Sequence, residues 1–241
     1  MLLAIDAGNT TVKIGCHDGQ EWQSKQRVGL SDFYLEPLRY LQPSPDQVII
    51  ANVAGPAFQT ALELALPNCP MQWVQASAQA CGVTNQYQEP EQLGADRWSM
   101  LIAAHARVRQ PCIVASLGTA LTVDMLTADG VFLGGTIAPG MQLMRASLAQ
   151  ETHAVQVSLG QVRACPVNTQ DAVETGIVYA LLGVIEKIIT NFERQLSEPL
   201  QVILTGGDAY LLVPHLNRAV QVVDNLVLEG LIVLAQKENN L

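Results

Sequence analysis

The chain has 241 residues, 49% of them apolar and 15% charged, with 13 basic against 22 acidic side chains and a formal net charge of −9. That is the composition of a globular protein with enough apolar surface for a substantial core. The acidic balance disfavours a nucleic-acid partner, while leaving room for a local basic pocket that takes an anionic ligand. Met1 is followed by only four apolar residues before Asp6, with no basic region ahead of them, so no signal peptide is read. The uncharged stretch Thr175–Ile185 is far shorter than the ~20 residues a spanning helix needs. Five cysteines, widely spaced and without a CxxC pair, read as reduced thiols of a cytoplasmic protein. The four histidines, His153 among them, are scattered and form no local metal motif.

In chain order, "LLAIDAGNTTVKIG" at 2–15 predicts a hairpin, with Leu2–Ile5 and Val12–Gly15 flanking a turn. Gly8 lets the backbone approach a ligand closely, and successive turn N–H groups can form an anion-binding concavity. Asn9, Thr10 and Thr11 add polar donors, and Lys13 adds a positive charge. Asp6 repels a bare phosphate but favours one that arrives with Mg²⁺, directly or through a metal-bound water. The plainer alternative is a hairpin turn with a capped Asx side chain. "DQVIIANVAG" at 46–55 reads as a buried strand after the breaker "QPSP". "YQEPEQLGADRW" at 87–98 leads into a helix predicted over 93–109, with Trp98, Leu101, Ile102 and Ala106 at helical spacing. Gly94 precedes Asp96 and Arg97 near that helix start, where the helix dipole favours a carboxylate. In phosphoryl transfer such a group orients the acceptor hydroxyl and takes its proton late. Arg97 suits a carboxylate or a transferring phosphoryl group. The alternative is an acid and its neighbour on a solvated face.

"PCIVASLGTALTVDML" at 111–126 repeats the strand–turn–strand form. "AIDAGNTT" and "VASLGTAL" overlay 110 residues apart, Asp6 on Ser116, Gly8 on Gly118 and Asn9 on Thr119. Two similar α/β halves facing across a cleft are expected, with a seam at Gln110–Pro111 that divides the chain into 1–110 and 111–241. Two unrelated hairpins are the alternative. Ser116 is not a nucleophile elbow, because GxSxG needs Gly at 114, which is Val. No GxxxxGK is present, so there is no P-loop. Residues 130–140 are glycine-punctuated, 141–152 read as helical, and the longest helix is expected over 170–196, with Gly176 and Gly183 on one face. At 200–212 a strand breaks at Gly206 and Gly207 into a helix, a turn open enough for a planar base or ribose. A strand and a last helix close the chain over 220–237.

These stretches resemble the type III pantothenate kinases. The match runs through "DAGNTTVK", "YQEPEQLGADR", "SLGTALTVD", "GGTIAPGMQLM", "VNTQDAVETGIVY", "LTGGDA" and "DNLVLEGL", in order, from residue 6 to 231. The resemblance implies the acetate and sugar kinase/Hsp70/actin (ribonuclease H-like) fold, with two duplicated α/β halves, and a homodimer. It implies transfer of the ATP γ-phosphoryl to the primary hydroxyl of pantothenate, the first step of coenzyme A synthesis. By position, Asp6, Ala7, Gly8, Asn9, Thr10, Thr11, Val12 and Lys13 correspond to the first ATP phosphate loop, with Asp6 toward Mg²⁺. Asp96 corresponds to the general base. Gly94, Ala95 and Arg97 fall in the pantothenate-binding stretch, with Tyr87 and Thr169 as further substrate contacts. Gly118 and Thr119 belong to the second ATP loop, and Gly206 and Gly207 lie by analogy near the adenosine. The family places an Asp where this chain has Ser116, at a monovalent-cation position for K⁺ or NH₄⁺. A hydroxyl supplies an oxygen without charge, so weaker cation dependence is expected, or a cation bound mainly through other groups. Two other readings stay open: a kinase for another small hydroxyl substrate, and a non-catalytic regulator of the accessory transcription factor type. Intact Asp6, Lys13, Asp96 and Arg97 weigh against the second.

Overall fold

β1 (Leu2–Ala7) and β2 (Thr11–His17) pair antiparallel in a register that sets Asp6 opposite Lys13 and Ala7 opposite Val12. The computed structural model describes residues 1–42, 44–151 and 159–238. Its chain divides into two units. The first holds Met1–Arg109, Ala128–Leu133 and the stretch from Asn225; the second holds Gln110–Thr127 and Gly134–Asp224. A single cut at Gln110–Pro111 therefore does not describe the division. The last helix is part of the first unit for a packing reason: a Cβ at Gly230 would stand 1.9 Å from the Ser99 carbonyl oxygen, so only glycine admits that backbone contact.

In the first unit, β1 and β2 are followed by β3 (Trp22–Gly29), α1 (Leu30–Leu35), α2 (Pro37–Tyr40), β4 (Gln47–Asn52), α3 (Pro56–Ala65) and β5 (Met71–Trp73). The strands form one sheet in the order β3-β2-β1-β4-β5, with β4 parallel to β1. Buried Leu3, Ile5, Val12, Ile14, Val48 and Ile50 gather on one side with Phe33, Phe58 and Leu62. Alternate residues of a strand share a face, and Ala4, Ile49 and Ala51 are buried on the opposite one, so β1 and β4 are covered on both faces. β6 (Gln79–Ala80) and β7 (Val83–Asn85) make a small hairpin ahead of α4 (Ala95–Val108). α4 stops at Arg109, which takes the left-handed conformation.

The second unit repeats the motif. β8 (Cys112–Leu117) and β9 (Ala120–Leu126) are antiparallel, with Ser116 opposite Thr122. β10 (Val131–Pro139) leads into α5 (Met141–Glu151); residue 152, expected to continue that helix, lies outside the described residues, as does His153. α6 (Thr169–Glu193) begins at Asn168, whose side chain accepts the Asp171 N–H. β11 (Gln201–Thr205) runs parallel to β8, as β4 does to β1; α7 (Ala209–Leu212), β12 (Gln221–Val222) and, in the first unit, α8 (Leu226–Glu238) complete the chain. Ile113, Ala115, Leu121 and Val123 pack with Ile177, Leu181 and Ile185 of α6. A Cβ at Gly176 or Gly183 would meet nothing within 4 Å, so these glycines make no close helix contact in the chain. Among the described residues, no helix is long and apolar enough to cross a membrane.

Candidate active site

The register of the first hairpin explains why an acid enters the turn and a lysine leaves it. Directly opposed residues point to the same face of a sheet. Lys13 Nζ accordingly donates to Asp6 Oδ2 at 3.2 Å. Asp6 is only 7% exposed, and burial pushes its carboxyl above the ordinary range. The Asp96 charge acts in the same direction, and Lys13 opposes both. Asp6 is therefore a carboxylate in a poorly solvated place, held by one ammonium and within electrostatic reach of a second carboxylate. A buried carboxylate of this kind suits a divalent cation that arrives with a phosphate ligand. Between the strands, Gly8 N–H donates to Thr11 O at 3.0 Å and Leu30 N–H to Thr10 O at 2.9 Å, which fixes the turn. Asn9 and Thr10 stand exposed at its tip, while Val12 is buried and offers only backbone.

Asp96 lies in the first turn of α4, with Gly94 as the helix cap. Its Oδ1 accepts the Arg97 backbone N–H at 2.8 Å. A Cβ at Gly94 would stand 2.6 Å from that same oxygen, so the carboxylate holds its place only over a glycine. Arg97 is not on a solvated face: it is 4% exposed. Its Nη1 donates to Tyr87 Oη at 2.9 Å, and its Cζ lies 5.7 Å from the Tyr87 ring and 5.9 Å from the Phe132 ring. Both rings can stabilise the cation through their faces. Asp6, Lys13, Asp96, Arg97 and Tyr87 are thus brought together within the first unit.

Sequence reasoning missed Asn85 and Phe132. Asn85 is buried, accepts the Tyr87 N–H at 3.0 Å and donates to Pro90 O at 3.1 Å, so it shapes the loop that presents Tyr87. Phe132 packs 5.3 Å from the Tyr87 ring. An asparagine two residues before the tyrosine is a turn-forming signal that was available. Phe132 is distant in sequence and carried no signal.

In the second unit, Ser116 faces Thr122 on one side and Thr205 on the other across three neighbouring strands. The Thr122 hydroxyl is buried without a hydrogen-bond partner. The turn that follows is closed by Gly118 N–H to Ala120 O at 3.1 Å, with Thr119 exposed. Gly206 has a φ of +97°, and Asp208 N–H donates to Leu117 O at 3.2 Å, so the turn after β11 abuts the end of β8. Gly207 is exposed. Thr169 is the exposed first residue of α6, in the lining of a groove of about 1230 Å³ between α5 and α6. Leu143, Met144, Leu148 and Val167 make this groove apolar.

The family model for type III pantothenate kinase matches residues 2–191. The chain belongs to the type III pantothenate kinases. A type III pantothenate kinase from Nitrosomonas eutropha is 42% identical over 99% of this chain and 95% of its own. One from Nitrosospira multiformis is 40% identical over 98% of this chain and 92% of its own. Among solved structures, a Sinorhizobium meliloti protein described provisionally as a 2-dehydro-3-deoxygalactonokinase superposes with a TM-score of 0.66 at 15% identity, all of each chain being covered. That likeness bears on the fold alone, which is the acetate and sugar kinase/Hsp70/actin fold.

Proposed function

We infer that this protein is an ATP-dependent kinase that phosphorylates pantothenate, the first step of coenzyme A biosynthesis. Family membership over nearly the whole chain carries the substrate. The observation that supports the chemistry is buried Asp6, paired with Lys13, with Asp96 in electrostatic reach of it. In this reading Asp96 is the base. Held at a helix start, it orients the pantothenate hydroxyl and receives its proton as the phosphoryl group departs from ATP. Arg97, backed by Tyr87, offers a fixed guanidinium for the pantothenate carboxylate; Ala95 and Thr169 are further substrate contacts. The turns at 6–13 and 118–119 hold phosphates through main-chain N–H groups, and Gly206 and Gly207 leave space for adenosine. Asp6 would hold Mg²⁺, through water, and that ion supplies neutralisation of the phosphate charge. Incubation with MgATP and pantothenate yields phosphorylated pantothenate and ADP on this reading. ATP binding without turnover would point instead to a regulator, and turnover only with another alcohol to a different kinase.

Ser116 and its neighbour Thr122, whose buried hydroxyl lacks a partner, offer oxygen ligands to a monovalent cation but no charge. Such a site fits K⁺ or NH₄⁺ weakly. Rates measured in Na⁺, K⁺ and NH₄⁺ buffers at equal ionic strength are expected to agree within about threefold, because hydroxyls alone repay little of a cation's desolvation. A strong K⁺ requirement would overturn this.

A homodimer accounts for the open apolar groove between α5 and α6, since exposed Leu143, Leu148 and Val167 favour cover by protein. Sedimentation at micromolar concentration is expected to give twice the chain mass; a monomer there removes the assignment. The five cysteines are thiols rather than disulfides, which supports action in the cytoplasm.

A further inference from the structure

We propose that Gly140 is a positioning residue for ATP: lacking a side chain, it sets the orientation of the two peptide groups at the tip of the 117–120 turn. The inference rests on the assignment of that turn to ATP. Gly140 N–H donates to Thr119 O at 3.0 Å. A Cβ at residue 140 would stand 2.1 Å from Gly118 O and 2.7 Å from Thr119 O. Both carbonyls therefore face Gly140. In a trans peptide the N–H points opposite to the C=O, so the N–H groups of Thr119 and Ala120 face away from residue 140. Successive N–H groups presented on one side are what a phosphate binds.

Neither wall of the turn can retreat. On one side, Gly140 O accepts the Met144 N–H at 3.0 Å and so begins α5. α5 is locked to α6 by the Arg145 Nη2 fork on Glu174, at 3.0 and 2.8 Å, with both side chains largely buried. On the other side, a Cβ at Gly206 would stand 2.1 Å from Leu117 O. The turn is thus gripped between two stretches of bare backbone. A methyl group at 140 has nowhere to go except into the Gly118 and Thr119 carbonyls, and the rotation that relieves it turns their partner N–H groups off the phosphates.

Gly140→Ala is expected to weaken MgADP binding, read by calorimetry, and to raise KM for ATP, each by about tenfold or more, since small misplacements at a binding site carry losses of that order. KM for pantothenate at saturating ATP is expected to stay within about twofold, a split that general destabilisation would not produce. Gly183→Ala, on an open face of α6, serves as the control and is expected to match wild type. In the wild-type protein, MgADP is expected to slow hydrogen exchange at the Gly140 and Met141 amides. Equal nucleotide binding by wild type and Gly140→Ala overturns the positioning role while leaving the kinase assignment intact. Failure of the wild type to bind MgADP removes the ATP assignment and the role together. If Gly140→Ala does not fold, absence of protection at those amides in the wild type overturns the proposal.

Discussion

Asp96→Asn is expected to lower kcat by about 10²–10⁴-fold, the range over which a positioned general base acts, while KM for ATP is expected to stay near that of the wild type. The substitution preserves shape, and its side-chain oxygen can still accept the Arg97 N–H that Asp96 Oδ1 accepts at 2.8 Å. Only the charge and the proton-accepting lone pair are lost. Because Gly94 leaves room for that oxygen and the first turn of α4 is otherwise unchanged, circular dichroism and the melting temperature should match the wild type. Steady-state kinetics with pantothenate and ATP varied in turn check the result. A variant that retained more than about a tenth of wild-type kcat would remove Asp96 from the role of base.

Asp6→Ala is expected to lower turnover by about 10²–10³-fold, the usual cost of deleting one preorganised electrostatic group. The more informative partner is Asp6→Asn. Burial raises the Asp6 pKa in the folded protein, with the Asp96 charge adding to the effect and Lys13 opposing it. A raised carboxyl pKa means that the folded state binds its proton more tightly than the unfolded chain does. That contribution to stability is fully present below the unfolded value, about 3.9, and is lost as pH rises through the higher folded value. An ionised carboxylate at this place therefore destabilises the ligand-free protein relative to a neutral side chain of the same shape. Asp6→Asn should melt no lower than wild type without nucleotide, as calorimetry at pH 7 would read, and still be inactive. Wild type should gain more thermal stability from MgATP than Asp6→Asn does, since only a carboxylate attracts the metal. An active Asp6→Asn enzyme would sink the assignment. A large loss of its stability would instead overturn the desolvation argument, because the Lys13 pair would then outweigh burial.

Much of the local structure was legible in the residues themselves. Apolar runs flanking the turns "DAGNTT" and "SLGTAL" foretell two hairpins, and helical spacing around Trp98 and Ile177 foretells α4 and α6 within a few residues. β10 was read only as glycine-punctuated, because Gly134 and Gly135 interrupt its alternation, yet it is a strand over Val131–Pro139. The membership of the last helix in the first unit could not be read from a linear repeat. It depends on Gly230 fitting against Ser99, a contact between distant parts of the chain.

The candidate site divides along the same line. Residue type and spacing by themselves determined which groups are candidates for the proposed chemistry: an acid and a lysine across one turn, an acid and an arginine at a helix start, and glycines where backbone must come close. A hairpin register and a helix cap are local, so neighbours in sequence suffice to specify them. Only the tertiary structure decided that Asp6 is buried within reach of Asp96, that Arg97 lies beneath Tyr87 and Phe132, and that Gly140 and Gly206 hold the second turn between them. Desolvation, ring stacking and backbone-to-backbone contact depend on which distant segments pack together, and that choice is made by the whole core rather than by any short stretch of chain.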